Sequence, residues 1–182
     1  MNEQMLNITE EKLAKIVNLA NAGDAEAQYT TAMLLLQGEF LPENEEKAVE
    51  YLEKSHAQNY IAATYELAVC HHYGLGTEAD LEKAFSLYKE AADKGLGKGM
   101  NLVGKFYLDG LFVTQDYAEA MKWFELSLKS DDIEAIAFAE YLIGNCYAEG
   151  HGVDKNNDTA MNWYKKSAEH GDFRAKRIVG MV

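Results

Sequence analysis

The sequence predicts an all-α fold of four helix-turn-helix repeats, with one further helix at each end. Three observations predict it. A pair ending in alanine recurs with alanine spacings of 36, 36 and 40 residues: Lys47-Ala48, Lys83-Ala84, Glu119-Ala120 and Thr159-Ala160. Two further series keep this period with the same four-residue irregularity: Ala32, Ala68, Gly104, Gly144 and Gly180; and Gly23, Asn59, Gly95, Asp131 and Gly171. A period of this length is typical of stacked repeats, and 14 glycines against a single proline favour helices.

The first helix of each repeat is predicted from small or apolar residues at i, i+4, i+7 and i+8, as in Ala63, Leu67, Cys70 and His71. A glycine that accepts a left-handed conformation is expected to end each one: Gly38, Gly74, Gly110 and Gly150. The small residues Gly104 and Gly144 mark places where helices should approach closely. Four extra residues between Asp131 and Gly144 amount to about one helical turn, so the fourth repeat should begin with a longer helix.

The second helix of each repeat is predicted to begin after a side chain that can accept hydrogen bonds from free backbone N–H groups: Asn44, Asp80, Asp116 and Asn156. Asp116 followed by Glu119 resembles a capping box with Asp in the Ser/Thr position. Each second helix should end at the Gly/Asn/Asp series, whose residue types tolerate positive φ.

The same register predicts the organisation of the whole chain. Residues 9–182 are expected to form a single domain of ten helices after an irregular segment, residues 1–8. A helix over 9–22, with Thr9 as its N-cap, should precede the repeats, and a helix over 172–182 should follow them. The repeats are predicted at about 24–59, 60–95, 96–131 and 132–171.

Charge and composition exclude several classes of function. The chain has 17 Lys and Arg against 30 Asp and Glu, a net charge of −13, which repels nucleic acid and anionic membranes. The beginning of the sequence has no basic stretch followed by an apolar core, and no window approaches 18 apolar residues, so we expect a cytoplasmic protein. Cys70 and Cys146 cannot build a disulfide framework and are predicted to be core residues.

The repeat pattern resembles the Sel1-like repeat family, close relatives of tetratricopeptide repeats. The fourth repeat matches the pattern best, through Ala139, Ile143, Gly144, Tyr147, Gly150, Gly152, Val153, Ala160, Trp163, Tyr164, Lys166 and Ala168. The first repeat departs from it, with Thr31, Leu35 and the segment from Glu39 to Pro42 in place of the Gly-x-Gly-Val turn. The resemblance implies a right-handed α/α solenoid whose members mostly act as adaptors or binding modules, many of them bacterial.

The resemblance also implies that the first helices line a concave, partner-binding surface. On this register the predicted contact residues are Tyr29, Tyr65, Val69, His72, Asn101, Lys105, Tyr141 and Asn145, with Met33, Leu36, Leu108 and Ala148 in the same stripe. Tyrosine is enriched at recognition surfaces. The alternative is that these residues pack against the neighbouring repeat. An acidic cluster, formed by Glu43, Glu45, Glu46, Glu50 and Glu53, is predicted to steer a basic partner by long-range attraction.

Chemical sites are weak in this sequence. Cys70, His71 and His72 are metal-ligand types, but adjacent helical residues point about 100° apart, so no metal and no cofactor are predicted. Ser86 and Lys89 form the pattern S-x-x-K, which is of interest because the resemblance includes cysteine-rich relatives with β-lactam-related activity. The motifs that accompany S-x-x-K in such enzymes are missing from this sequence. We therefore predict a monomeric, non-enzymatic protein-interaction module, either an adaptor or a stoichiometric inhibitor of the immunity type. The alternative is a cell-wall or β-lactam-related hydrolase.

Overall fold

The computed structural model describes residues 9–181 and shows ten α-helices in this part of the chain. The expectation of an irregular segment over residues 1–8 lies outside the described residues. The helices are α1 (Glu10–Asn21), α2 (Ala25–Gln37), α3 (Glu45–His56), α4 (Ile61–Tyr73), α5 (Leu81–Asp93), α6 (Gly97–Asp109), α7 (Tyr117–Ser127), α8 (Ile133–Glu149), α9 (Asn157–Glu169) and α10 (Phe173–Val179).

The chain divides into two compact units, Met1–Leu87 and Tyr88–Val182, and the boundary falls within α5. In the first unit, α2 packs against α1 and α3, and α3 packs against α4. In the second, α6 packs against α7 and α8, α8 packs against α7 and α9, and α9 packs against α10. Neighbours along the chain are therefore neighbours in space within each unit.

The helix ends follow the predicted capping residues. The side chains of Thr9, Asn44, Asp116 and Asn156 each accept a hydrogen bond from the backbone N–H three residues later, as does Asp80 from Lys83. The four predicted glycines all end first helices with φ between +67° and +77°. The longer helix is also confirmed, because α8 has 17 residues where α2, α4 and α6 have 13.

Two predictions about helix ends are wrong. Asp131 does not adopt positive φ, because α7 already ends at Ser127 and the chain turns before Asp132 caps α8. The capping box at Asp116 is also incomplete. Glu119 donates its backbone N–H to Asp116, but its carboxylate pairs with Lys122 at 2.8 Å while the Asp116 N–H bonds to the Tyr107 carbonyl.

Close helix contacts occur at the predicted glycines of the second unit. A Cβ atom added at Gly104 would lie 2.4 Å from a ring carbon of Phe124, and one added at Gly144 would lie 2.6 Å from a ring carbon of Tyr164. Each aromatic ring comes from the second helix of the same repeat. Glycine is therefore what lets the second helix lie against the first in these two repeats.

A series of buried serines also joins the two helices of a repeat, and the sequence analysis did not identify it. Ser55, Ser127 and Ser167 lie at equivalent positions, and each donates its hydroxyl to a carbonyl of the first helix 30 residues earlier: Ala25 and Gly97 at the starts of α2 and α6, and Ala137 one turn into the longer α8. In the second repeat the equivalent residue is Ala91. These bonds satisfy both the buried hydroxyl and a backbone acceptor.

Candidate functional site

The second unit contains a groove that brings together three of the predicted contact residues. Lys105 of α6 and Tyr141 and Asn145 of α8 line a volume of 680 Å³. The other lining residues are Leu108, Asp109, Gln115, Phe138, Leu142, Glu149, His151 and Arg174. We call this set the α6–α8 groove. First helices supply most of its walls, as the register predicts.

Arg174, at the start of α10, forms a cationic and aromatic end to the α6–α8 groove. Its guanidinium carbon lies 4.1 Å from the ring centre of Phe138 and 4.8 Å from that of Tyr141. The same guanidinium makes hydrogen bonds to Asp172, the N-cap of α10. Stacking on two rings and pairing with a buried carboxylate hold the arginine in one orientation.

Burial raises the pKa of Asp172, but hydrogen bonds from the Arg174 side chain and from the backbone N–H groups of Ala175 and Arg174 outweigh it. The net result is a pKa below the usual value for an aspartate. Asp172 is therefore ionised at neutral pH and keeps its charge beside Arg174. The Asp172 carboxylate therefore both caps α10 and pairs with the Arg174 side chain.

The floor of the α6–α8 groove is tied to the helix behind it. Asn145 accepts a 2.8 Å hydrogen bond from the Tyr164 hydroxyl, and the ring of Tyr164 lies 6.0 Å from that of Tyr141. The pKa of Tyr164 is raised above its ordinary value, mainly by burial and to a smaller extent by the nearby Tyr141. Its hydroxyl therefore remains protonated and can donate a hydrogen bond. Tyr141 therefore has packing partners, although part of its side chain remains exposed.

Charges of both signs line the α6–α8 groove. The Lys105 ammonium lies 3.0 Å from the Asp109 carboxylate, and the His151 ring stacks on Tyr117 at 4.4 Å between centres. Gln115 donates its amide to the Leu108 carbonyl. This mixture of aromatic surface and fixed polar groups is typical of a surface that recognises another protein.

The prediction that Asn101 belongs to a contact surface is wrong. Its side chain is 0% exposed, and its Nδ2 donates a 2.8 Å hydrogen bond to the Ala135 carbonyl. Asn101 therefore connects α6 to α8 inside the second unit. The reason is that α8 begins one turn earlier than the other first helices, so that its first turn covers this position.

In the first unit, the other predicted contact residues lie on α2 and α4. Tyr29 is half-buried, with its ring 5.3 Å from that of Tyr60, and burial, then Glu66, raises its pKa. Tyr65, Val69 and His72 are half-buried on α4, and the His72 ring stacks on the exposed Tyr73 at 4.4 Å. These residues are partly accessible and also packed against other side chains. Both interpretations of the sequence, a partner-binding surface and packing within the solenoid, therefore remain compatible with their positions.

Most of the acidic cluster is available for long-range attraction. Glu43, Glu46, Glu50 and Glu53 are exposed. Glu45 is different, because its carboxylate accepts a 3.0 Å hydrogen bond from the backbone N–H of Gly76. The Glu45 side chain therefore also ties the start of α3 to the turn after α4, and its steering role stays a prediction.

The residues considered for chemistry have structural surroundings. Cys70 and Cys146 are fully buried, as predicted, and burial raises the pKa of each thiol to about 11. The Lys89 ammonium lies 2.9 Å from Asp93 and 5.1 Å from the centre of the Trp123 ring. Lys89 thus pairs with a carboxylate one turn along its own helix, a contact that gives the hydrolase alternative no support.

Sequence analysis missed Phe138 and Arg174 as groove residues. The two lie 36 residues apart, so they occupy the same position in successive repeats. Phe138 lies three residues before the predicted contact residue Tyr141, and the same position one repeat later is Arg174. Following this position through the repeats would have identified both residues. The signal was hidden because neither residue belongs to the family pattern.

Comparisons with known proteins agree with this architecture. The model of the Sel1 repeat matches residues 25–60, 61–96, 97–132 and 137–172. The chain is similar to the crystal structure of a protective antigen of uropathogenic Escherichia coli strains that displays an SLR fold, with 29% identity and a TM-score of 0.80, over 96% of this chain and 36% of that protein. It is similar in fold to a Sel1 repeat protein from Oxalobacter formigenes, with a TM-score of 0.85 and 22% identity over 94% of this chain and 69% of that one.

A relative among characterised yeast proteins is chitin synthase regulatory factor 3 of Schizosaccharomyces pombe, 28% identical over 91 residues, which are 50% of this chain and 10% of that protein. The chain thus spans about a third of the E. coli antigen and a tenth of the yeast factor. None of the helices in residues 9–181 has the length and apolar character needed to cross a membrane. Four matching repeats and the shared fold confirm the predicted all-α solenoid, and the chain belongs to the Sel1 repeat family.

Proposed function

We propose that this chain is a non-enzymatic binding module that engages a partner protein through the α6–α8 groove. Sel1 repeat proteins are generally protein-interaction modules. The observation that carries the proposal is that Lys105, Tyr141 and Asn145, selected from the repeat register and the concave face that the family resemblance implies, line one 680 Å³ groove beside Arg174. Aromatic rings and arginines are the side chains that most often dominate binding energy.

The acidic cluster, which lies in the first unit, supports the proposal that the partner has a basic surface. Its four exposed glutamates act on the rate of encounter, whereas the groove acts on the lifetime of the complex. We propose a monomeric cytoplasmic protein that acts either as an adaptor or as a stoichiometric inhibitor. The acidic charge favours the inhibitor, because an inhibitor of a basic nucleic-acid-cleaving enzyme gains from opposite charge.

The groove is tested with Tyr141→Ala, using Leu126→Ala on the exposed side of α7 as the matched control. A partner captured by the parent chain is purified, and its association and dissociation rates are measured with each variant. Loss of a central aromatic costs about 2 kcal/mol, which is about 30-fold faster dissociation. Equal dissociation rates for Tyr141→Ala and the parent would show that the partner does not use the groove.

The steering role is tested separately with Glu46→Lys and Glu50→Lys combined, which leaves the Glu45 hydrogen bond in place. We expect slower association at low ionic strength and no difference from the parent at high ionic strength, because salt screens exposed charges. The two roles are distinct, since Tyr141→Ala should leave the association rate unchanged. Adaptor and inhibitor are distinguished by whether the captured partner loses an activity when bound.

A further inference from the structure

Both arginines of this chain lie on the short helix α10. Arg174 and Arg177 are three residues apart, and every other cation among the 17 Lys and Arg is a lysine. The helix carries Lys176 as a third cation and no acidic residue, whereas each of the helices α1 to α9 contains at least one Asp or Glu. A chain with a net charge of −13 therefore presents a local basic surface at α10.

The two arginines share a surface with Tyr141. Arg177 lies 36 residues after Tyr141, so it occupies the equivalent position one repeat later and continues the predicted contact stripe onto α10. Tyr141, Arg174, Arg177 and Ile178 line one open hollow of 420 Å³, which we call the α10 hollow. It is continuous with the α6–α8 groove, because Tyr141 and Arg174 line both.

The α10 hollow contains hydrogen-bond donors that the chain does not use. Arg177 is exposed and pairs with no carboxylate of residues 9–181. Arg174 donates its Nε and Nη2 to Asp172, which leaves its Nη1 available to another acceptor. None of the four residues that line the hollow is acidic, since Asp109 and Glu149 line only the α6–α8 groove.

A carboxylate suits this set of donors. It accepts hydrogen bonds through both oxygens, and the planar fork of a guanidinium matches the two oxygens. The Arg174 side chain is already held by two rings and by Asp172, so it loses little conformational freedom on binding. Ile178 and Phe173, which are 43% and 64% exposed, place apolar surface beside the arginines.

We propose that the α10 hollow binds an acidic segment of a partner protein. One Asp or Glu carboxylate lies between Arg174 and Arg177, and a neighbouring apolar side chain of the segment contacts Ile178. This inference rests on the proposed function and adds the charge of the segment that enters this end of the groove. The acidic cluster belongs to the first unit and α10 to the second, so the partner's basic surface and its acidic segment are separate features.

The first experiment titrates the full chain with the blocked peptide N-acetyl-Leu-Asp-Glu-amide. Because the chain has two arginines, the NMR spectrum of its arginine Nε–H groups contains two signals, and both report on the hollow. We expect the Arg177 signal to shift strongly and the Arg174 signal less, since the Arg174 Nε already donates to Asp172. The uncharged analogue N-acetyl-Leu-Asn-Gln-amide should bind about 5-fold more weakly, because a neutral amide makes weaker bonds to arginine.

Three variants separate recognition by the arginine fork from general attraction to a basic helix. Arg177→Gln should weaken binding of the acidic peptide about 3- to 5-fold, as for a good exposed ion pair, with the Arg174 signal as the readout. Lys176→Gln is the matched control, because it removes the same charge from the next residue, which does not line the hollow, and should change the affinity by less than about 1.5-fold. Arg177→Lys keeps the charge without the fork and should restore only part of the affinity.

Several results would overturn the proposal. These are equal affinities for the two peptides, equal effects of Arg177→Gln and Lys176→Gln, or an Arg177 signal that does not move at peptide concentrations up to about 20 mM. Inorganic phosphate is the competing probe, and tighter binding of phosphate than of the acidic peptide would exclude a carboxylate as the preferred ligand. Self-association of the parent chain that Arg177→Gln abolishes would assign the acidic segment to a second copy and not to a partner.

The partner captured by the parent chain distinguishes this inference from the proposed function. Faster dissociation of that partner from Arg177→Gln than from Lys176→Gln would support the α10 hollow as its contact. If Tyr141→Ala speeds dissociation and Arg177→Gln leaves it unchanged, the inference fails while binding through the α6–α8 groove stands.

Discussion

Replacing Gly104 with alanine tests the account of how the two helices of a repeat pack. The new Cβ would lie 2.4 Å and 2.7 Å from two ring carbons of Phe124 and 3.1 Å from the Ala120 carbonyl oxygen. Carbon atoms pack at about 3.5–4.0 Å, so the ring must move by about 1 Å. Phe124 is 0% exposed and packs in one cluster with Leu142, Ile143 and Cys146, so a movement of its ring displaces these side chains.

The expected free-energy change combines two opposed effects. Alanine is favoured over glycine inside a helix by about 1 kcal/mol, whereas overpacking a closed core costs about 1–3 kcal/mol. Because the predicted overlap is severe, we take the upper end and expect Gly104→Ala to lose about 2 kcal/mol in net stability. For a chain of this size that corresponds to a melting temperature lower by about 4–8 °C.

The assay is thermal and urea unfolding of the parent and the variant. Ala14→Gly, at an exposed position within α1, measures the backbone preference alone and should cost about 1 kcal/mol. Combining Gly104→Ala with Phe124→Leu should recover part of the loss and give a coupling free energy of about 1 kcal/mol or more. If Gly104→Ala proves as stable as the parent, the close approach of α6 and α7 described here is wrong.

Two further predictions concern titratable groups. At pH 8 the thiols of Cys70 and Cys146, whose pKa is raised to about 11, should react with a thiol reagent only after unfolding, and rapid labelling of either thiol in the folded chain would contradict their burial. Asp172→Asn should cost about 1–3 kcal/mol at pH 7. The pKa of Asp172 is lower in the folded than in the unfolded chain, so this contribution is present above about pH 4 and should disappear as the pH falls further. A difference between parent and variant that is the same in urea unfolding at pH 7 and pH 3 would exclude the ion pair with Arg174 as its source.

Much of the fold was predictable because the signals are local. Caps such as Asn44 and Asn156 act on the N–H three residues later, and glycines such as Gly38 and Gly150 act on their own φ, so neither depends on the rest of the molecule. The four extra residues before Gly144 lengthen one helix by one turn for the same reason. Where a local pattern failed, as at Asp131, the helix before it had already ended.

The candidate sites were predictable only in part. The repeat register, together with the concave face that the resemblance implies, placed Tyr141, Asn145 and Lys105 on a common surface, because equivalent positions of stacked repeats are neighbours. It could not show that Glu45 would be held by Gly76, because this bond joins two different repeats, whose distances do not appear in a one-dimensional pattern.

The repeat period, the number of helices and most of their ends follow from the residues of this chain taken in order, because helix periodicity and capping act over three to eight residues. The exposure of individual side chains does not follow from this local information. Asn101 and Tyr141 occupy equivalent positions in two first helices, yet one is fully buried and the other lines a groove. The difference is made by the helix that lies against each: the longer α8 covers Asn101, whereas beside Tyr141 the guanidinium of Arg174 covers only part of the ring. Which face of a helix meets another is settled by packing between helices, and that is a property of the folded chain.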